Sequence, residues 1–168
     1  MRGLLCHGHG GQILLMELTQ DFAANPQAPA RLTLAIYRGG RAAMLKRSHL
    51  LPLWKVADLL WTRAIVGAEL PFTFDAGPGL RLPHWGRGVI IAPGTRVGSG
   101  VTLYHRTTLG IGKDQQPPVL GDGVYVGTGA TILGPAIVGD RAVVGAGAVV
   151  VSDVDGGRTA VGVPATIR

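Results

Sequence analysis

The chain has 168 residues, of which 27 are glycine, 5% are aromatic, 15% are charged and 46% are hydrophobic, a composition too apolar for a disordered chain. No Gly-x-y period is present, which excludes collagen. The net charge of +6 is concentrated in residues 1–67, which contain 8 basic and 3 acidic side chains. This segment could bind an anionic partner, but we prefer to interpret it as a solvated helix face. It lacks the interleaved aromatic residues that are typical of nucleic-acid binding.

The N-terminal residues predict neither a targeting signal nor a membrane span. The apolar run between Met1 and Met16 is short and rich in Gly and His, and no stretch of about 18 uncharged apolar residues exists. Cys6 is the only cysteine, which excludes an internal disulfide and a cysteine zinc site and fits a cytoplasmic protein. Cys6, His7 and His9 could bind a metal adventitiously, but we favour a disordered start. The sequence leaves open whether residues 1–15 are native.

Helices are predicted in the remainder of the basic segment. Residues 17–30 predict a turn-rich lead-in, and residues 31–47 and 50–66 predict two helices that end at Gly67. In the second helix apolar residues recur at steps of three and four, with charged residues opposite. We interpret Trp54 and Trp61 as part of a core stripe or of a helix–helix contact. The apolar stripe comprises Leu50, Leu53, Trp54, Ala57, Leu60, Trp61, Ala64 and Ile65, with Lys55, Asp58 and Arg63 on the other face.

From residue 70 an aliphatic residue recurs at every sixth position, with a small or β-branched residue four positions later. This period is neither helical nor alternating; it is typical of a parallel β-solenoid whose short strands wrap a triangular prism. Three hexapeptides close one coil, so residues 18 apart stack about 4.8 Å apart, and about five coils are expected. The inward aliphatic positions are Leu70, Ala76, Leu82, Ile91, Val97, Leu103, Leu109, Leu120, Val126, Ile132, Val138, Val144, Val150, Val161 and Ile167.

Three strings carry a resemblance to a known family: GLRLPHWGRGVIIAPGTRVGSGVTLYHRTTLGIGK (79–113), VLGDGVYVGTGATILGPAIVGDRAVVGAGAVVV (119–151) and AVGVPATIR (160–168). They resemble the left-handed β-helix acyltransferases, and within these the serine acetyltransferases. The resemblance implies a left-handed parallel β-helix over residues 68–168 after an N-terminal helical segment of residues 1–67. It also implies a homotrimer and acetyl-CoA as co-substrate, without a metal.

Acetyl transfer from a thioester to a hydroxyl requires a base, donors that stabilise the oxyanion, and a groove for the CoA arm. His84 is the candidate base, because Leu82 and Ile91 are nine residues apart rather than six and the extra residues bulge at a corner. It also matches the catalytic histidine of the family; the alternative is a histidine merely exposed on a loop. Glu69, fifteen residues earlier, matches the carboxylate that orients this histidine, and counting hexapeptides places it within reach on the same prism face. The alternative is an exposed glutamate where helix meets coil.

The hexapeptide register predicts a column of residues on one edge of the prism. His84 and His105 both occupy a third position and differ by 21, which is one coil plus three inserted residues. Thr128 lies 23 residues further on, and Ala146 follows 18 later. The resemblance implies that backbone groups at Thr128 and Ala146 bind the pantetheine arm, whereas His105 shapes the substrate pocket or donates a hydrogen bond.

The second interruption of the repeat, residues 110–119, predicts a projecting loop. The matching loop of the family lies beside the active site and CoA, which makes Gly110, Gly112 and Lys113 candidates for cofactor binding. A solvated loop lysine is an equally good interpretation of Lys113. Arg158 and Arg168 are weaker candidates for contacts with CoA phosphates.

The acceptor is less well defined than the donor. Pro83 stands where the serine acetyltransferases usually have Asp, and Gln115, Gln116 and Pro117 occupy the stretch where they carry an Arg-His pair. L-serine remains the first acceptor to consider, and a sugar or polysaccharide hydroxyl is the alternative.

Two further functions stay open. A γ-class carbonic anhydrase-like hydratase needs three histidines on zinc, and the repeat region holds only His84 and His105. A non-catalytic solenoid could serve as a scaffold or as a peripheral membrane anchor through its basic front.

Overall fold

The computed structural model describes residues 10–168, so Cys6, His7 and His9 lie outside the described residues. It begins with α1 (Gly10–Ala24), α2 (Ala28–Leu45) and α3 (Leu51–Ala57), and α3 continues into a π-helical segment, Asp58–Val66. The predicted lead-in over residues 17–30 is wrong, because most of it lies in α1 and α2. Gly67 has a φ of +70° and ends the last helix, as predicted.

The apolar stripe of the last helix is only partly buried, although Trp54 and Trp61 do make helix–helix contacts. Trp54 packs on Gly39, and the Trp61 indole donates to the Thr33 hydroxyl at 3.0 Å. Leu53, Leu60 and Ile65, by contrast, are exposed, whereas the predicted outer residue Asp58 is buried. A π-helix brings residues five apart onto one face, as the 3.0 Å Arg63–Asp58 contact illustrates, so a pattern counted at 3.6 residues per turn assigns the wrong faces here.

Thirteen short strands follow in the described chain. They are β1 (Asp75–Ala76), β2 (Ile90–Ile91), β3 (Arg96–Val97), β4 (Thr102–Leu103), β5 (Thr108–Gly110), β6 (Val119–Leu120), β7 (Tyr125–Val126), β8 (Thr131–Leu133), β9 (Ile137–Val138), β10 (Val143–Val144), β11 (Val149–Val150), β12 (Thr159–Val161) and β13 (Thr166–Ile167).

The strands form the three faces of a parallel β-helix of about five coils. One face has the order β1-β3-β6-β9, the second β4-β7-β10-β12-β13, and the third β2-β5-β8-β11. Isolated bridges at Glu69, Arg81 and Val154 extend these ladders at their ends. All pairings are parallel except that of β13, which returns antiparallel along the free edge of β12.

The hexapeptide analysis identified the core up to residue 150. Every inward position predicted from Leu70 to Val150 is buried. The last coil is two residues shorter, since Val144 pairs with Ala160, 16 positions later. Ala160 therefore takes the inward place, and the predictions for Val161, which is half-buried, and Ile167, which is exposed, are wrong.

The helices dock on the first coil through buried polar contacts. Arg38 donates to the carbonyls of Ala76 and Gly77 at 2.6 and 2.7 Å and pairs with Asp21 at 2.9 Å. Asp21 in turn accepts from the Leu80 amide at 2.9 Å. Burial lowers the pKa of the Arg38 guanidinium, but the hydrogen bond and charge of Asp21 outweigh it and leave that pKa raised. This end of the prism is thus closed by the helices. None of the helices described is long and apolar enough to cross a membrane.

Candidate active site

His84 sits on an irregular turn that the helices hold in place. The 3₁₀ turn Pro83–Gly86 interrupts the repeat, and His84 and Trp85 have positive φ angles of 55° and 70°. Asn25 anchors the strand before it, accepting from the Leu82 amide and donating to the Leu80 carbonyl, both at 2.8 Å. The predicted bulge is therefore present, and it leaves the imidazole of His84 exposed.

The predicted column of corner residues is present on one edge. The rings of His84 and His105 meet edge to face with centroids 4.7 Å apart, and Thr128 Oγ1 lies 2.9 Å from His105 Nε2. The Gly147 amide donates to the Thr128 carbonyl at 2.9 Å, which sets Ala146 beside Thr128 one coil on. Counting inserted residues was sufficient to predict this alignment.

His105 is held from one side only. Its Nε2 faces the Thr128 hydroxyl, while its Nδ1 is buried without a hydrogen-bond partner in the described chain. The His105 ring also lines a depression that it shares with the candidate base. His105 thus fits the substrate-pocket role expected for it.

Below His105 the edge becomes an open strip of small residues. A Cβ added at Gly129 or Gly147 would have no atom within 4 Å. The amides of Thr128 and Ala146 make no hydrogen bond within residues 10–168. Unpaired N–H groups along a strip without bulky side chains suit an extended chain that carries carbonyl groups, such as a pantetheine arm.

Two depressions adjoin His84. One, of about 480 Å³, is lined by His84, His105, Gly88 and two arginines, Arg87 and Arg106. The backbones of these arginines are joined, since the Arg106 amide donates to the Arg87 carbonyl at 2.8 Å. Neither forms a salt bridge within the described residues, so the depression carries uncompensated positive charge.

The second depression, of about 130 Å³, lies between the α1–α2 turn and His84 and includes Arg81 and Tyr104 but no carboxylate. The Tyr104 ring is 6.3 Å from His84 and 5.3 Å from Tyr125, and interaction with Tyr104 raises the pKa of Tyr125. The sequence assigned no role to Asn25, and it missed both arginines because nothing in the repeat indicates which outward side chains meet at a corner. The position of Tyr104 beside His105 was an available signal.

Glu69 does not contact His84 in this chain. It pairs with Ile90 on the third face, and its exposed carboxylate lies 3.8 Å from Arg63. No salt bridge or hydrogen bond joins its side chain to His84 within residues 10–168. Its assignment as the partner of the base therefore stays a prediction.

The other predicted cofactor residues do not converge with the column. Residues 111–118 form the expected loop, with Lys113 exposed, but at the corner after β5 rather than at the His84 edge. Gly110 and Gly112 are explained by packing, since a Cβ at Gly112 would overlap the Gly134 carbonyl oxygen and one at Gly110 would crowd the Leu133 side chain. Arg168 lies beside Thr159 on the second face, where their backbones exchange hydrogen bonds.

A metal site is not formed by the described side chains. No group of three or more His, Cys, Asp or Glu residues is placed to hold an ion within residues 10–168.

Comparison with known proteins identifies the repeat. Residues 117–152 match the bacterial transferase hexapeptide (six repeats). A serine acetyltransferase of Helicobacter pylori is 46% identical over 106 residues, which are 61% of each chain. A probable serine acetyltransferase of Oryza sativa is 37% identical over 172 residues, covering 96% of this chain and 54% of that one. This chain therefore spans about three fifths or less of these relatives.

Solved structures agree on the fold. A soybean serine acetyltransferase in complex with serine is 28% identical with a TM-score of 0.77, covering 95% of this chain and 70% of that one. The Neisseria gonorrhoeae enzyme is 26% identical with a TM-score of 0.76, covering 95% and 65%. The predicted mainly β, left-handed parallel β-helix with helices at its N-terminus is confirmed, as is the likeness to serine acetyltransferases.

Proposed function

We propose that this chain, a hexapeptide-repeat protein of the serine acetyltransferase type, transfers the acetyl group of acetyl-CoA to a small-molecule hydroxyl, with L-serine as acceptor. The observation that supports this proposal is the column of His84, His105 and Thr128, which continues into an open strip at Ala146. The names of the relatives support the donor and the acceptor.

In the reaction His84 takes the proton of the acceptor hydroxyl as its oxygen attacks the thioester carbon. The carbon–sulfur bond of the tetrahedral intermediate then breaks, and the departing CoA sulfur receives that proton from the imidazolium. The free amides of Thr128 and Ala146 bind the carbonyls of the pantetheine arm, so the thioester lies at the upper end of the strip, next to His84. The arginines of the larger depression attract the carboxylate of the acceptor.

A release assay for the CoA thiol tests donor and acceptor together. Wild-type protein is given acetyl-CoA with L-serine, L-homoserine or a panel of sugars, and acceptor-dependent release is expected. His84→Ala should fold and bind CoA yet lose about 10²- to 10⁴-fold in turnover. His49→Ala, at an exposed histidine outside the site, is the matched control. Release that does not depend on an acceptor, or full turnover by His84→Ala, would overturn the proposal.

A sugar hydroxyl is the second candidate acceptor. The small depression beside His84 has no carboxylate to pair with an amino-acid ammonium group. The neighbouring Tyr104 and Tyr125 rings offer apolar surfaces of the kind that pack on sugar rings. Release with sugars but not with L-serine would select this candidate.

The assembly and location belong to the same proposal. We infer a homotrimer, which exposed Ile90 and Ile137 on the prism faces support, and a cytoplasmic site of action, which the single cysteine supports. Light scattering of the purified protein measures the first.

A further inference from the structure

A groove leads away from His84 between α1 and the second face of the prism. The depression of about 130 Å³ that includes His84 shares Ala24 and Arg81 with a further depression of about 550 Å³. The end of α1 lines one side of this further depression, and Gly79 and Thr102 of the prism line the other. The two depressions are therefore continuous. We call them together, from His84 past Arg81 to Gly79, the α1 groove.

The α1 groove is longer than an amino acid. Gly79 lies five residues before His84 in the same coil, and extended backbone rises about 3.3 Å per residue, so the groove spans up to about 15 Å. Its floor is flat where Gly79 lies beside Gly100, since a Cβ added at Gly100 would meet no atom within 4 Å. An acceptor whose hydroxyl reaches His84 therefore has room to extend along α1, which L-serine is too short to do.

The uncharged polar groups of the α1 groove suit a carbohydrate. Gln20 of α1 and Gln27 before α2 are exposed, and each amide both donates and accepts hydrogen bonds. Thr102 adds a hydroxyl to the floor. Tyr104 lines the end nearest the candidate base, and its ring lies 5.3 Å from that of Tyr125, which is exposed. Amides and a hydroxyl bind sugar hydroxyls, and an aromatic ring packs on a sugar ring.

The charge in the α1 groove is positive and unpaired. Arg81 is exposed, lines both depressions and forms no salt bridge within the described residues. Neither depression is lined by a described Asp or Glu. Interaction with Tyr104 raises the pKa of the Tyr125 hydroxyl and the charge of Arg81 opposes this rise, so the guanidinium lies near the aromatic pair. A carboxylate bound by Arg81 would thus lie beside the tyrosines.

We propose that the α1 groove binds an acidic oligosaccharide, which is a second and larger class of acceptor for His84. The carboxylate of one sugar pairs with Arg81, neighbouring sugars lie along α1, and a hydroxyl of the end sugar reaches the imidazole. That hydroxyl oxygen forms the ester bond as the thioester carbon–sulfur bond breaks, and its proton passes through His84 to the CoA sulfur. The transfer to this acceptor rests on the proposed function, whereas the binding in the groove does not.

Titration calorimetry without acetyl-CoA tests the binding. Tetramers of galacturonate and of hyaluronan are compared with monomeric galacturonic acid, and wild-type protein should bind at least one tetramer more tightly than the monomer. Arg81→Gln should weaken binding of that tetramer about tenfold or more, because a charge-assisted hydrogen bond is lost. Arg96→Gln is the matched control, since Arg96 precedes the inward Val97 on the first face as Arg81 precedes the inward Leu82 on the second.

A second pair of variants tests the length of the groove. Ala23→Trp, at an exposed α1 position that lines the groove, should fill it and remove the advantage of the tetramer over the monomer. Leu15→Trp, at an exposed position of the same helix outside the groove, should keep that advantage. With acetyl-CoA present, mass spectrometry should detect an acetyl group on the tetramer for wild type but not for His84→Ala.

The proposal is overturned if neither tetramer binds more tightly than the monomer, or if Arg81→Gln binds as wild type does. Equal affinity for a single-stranded DNA oligonucleotide would reveal a site for any polyanion and would overturn it too. A bound tetramer that receives no acetyl group, while L-serine is acetylated, refutes the acceptor. If no acceptor, L-serine included, releases the CoA thiol, the proposed acetyl transfer itself is wrong, and calorimetry still decides whether the groove binds the sugar chain.

Discussion

Glu69 and Asn25 are the two candidates for the residue that orients His84. The resemblance assigns this role to Glu69, whereas the contacts assign it to Asn25, which binds both Leu80 and Leu82 just before the turn. Glu69 is exposed and 3.8 Å from Arg63, and such surface pairs contribute about 0–1 kcal/mol. Asn25 is buried, so the cost of removing it is larger.

We expect Asn25→Ala to lower kcat by about 10²-fold, because a shift of about 1 Å in a catalytic group has that effect. KM for acetyl-CoA should change little, since Asn25 lies away from the strip. Glu69→Gln should stay within about fivefold of wild type. Steady-state kinetics on both variants, below their melting temperatures, gives the comparison.

Thr19→Ala is the control for Asn25, because it removes a side-chain hydrogen bond to the backbone at an exposed position of α1, the helix that ends just before Asn25. A lower melting temperature with unchanged kcat would reduce Asn25 to a structural role. If Glu69→Gln lost as much turnover as His84→Ala, the result would support the assignment of Glu69 as the partner of His84.

Arg106 is expected to set the affinity for an anionic acceptor. It lines the depression with His84 and has no acidic partner among the described residues. Arg106→Gln should raise KM for L-serine by about tenfold or more, since a charge-assisted hydrogen bond contributes about 1.5–3 kcal/mol, and leave KM for acetyl-CoA unchanged. Arg141→Gln, at another exposed corner arginine with positive φ, is the matched control. An equal rise for both substrates would contradict the assignment.

At the scale of the elements, close approach between coils explains glycines that the family resemblance assigned to the cofactor. Gly112→Ala should destabilise the protein by about 1–3 kcal/mol, because its Cβ would overlap the Gly134 carbonyl oxygen. Gly11→Ala, where an added Cβ meets nothing within 4 Å, should be neutral or slightly stabilising. Thermal unfolding of the two variants measures the difference. If Gly112→Ala had an unchanged melting temperature but weaker CoA binding, the result would support the assignment of Gly112 to the cofactor site.

The elements differ in how far the sequence could predict them. Stacking in the prism follows the hexapeptide period. Adding the residues inserted before Ile91 and Val119 to that period was therefore enough to align His84, His105 and Thr128. The hexapeptide count failed at the last coil, which is two residues shorter than the others and places Ala160 inward. Counting by helical steps also failed in the last helix, where Leu53 of α3 and Leu60 of the π segment are exposed. Asn25 was beyond prediction because its partners are backbone atoms 55 and 57 positions away.

At the scale of the whole molecule, helices and prism share one buried network. Arg38 joins Asp21 of α1 to the carbonyls of Ala76 and Gly77 in the first coil, and Leu34 and Tyr37 enter the same core. Two fully buried charges are costly to desolvate, and hydrogen bonds must satisfy both. The division of the chain into residues 1–67 and 68–168 stays a prediction, but these contacts imply that both parts unfold together.

The buried pair itself tests this coupling. Arg38→Met should cost about 3–5 kcal/mol, because it leaves the Asp21 carboxylate buried with the Leu80 amide but without its counter-charge. Asp21→Asn/Arg38→Met should be less destabilising than the sum of the single changes, since no lone charge remains. Denaturant unfolding is followed by tryptophan fluorescence in a Trp85→Phe background, where only Trp54 and Trp61 of the last helix emit, and by far-ultraviolet dichroism, which includes the prism. Additive effects would mean that Asp21 and Arg38 stabilise the fold without interacting. Separate transitions for the two signals in wild type would mean that the helices and the prism are stabilised independently. His84 would then owe its position to the turn alone, and Asn25→Ala would have to preserve turnover as well.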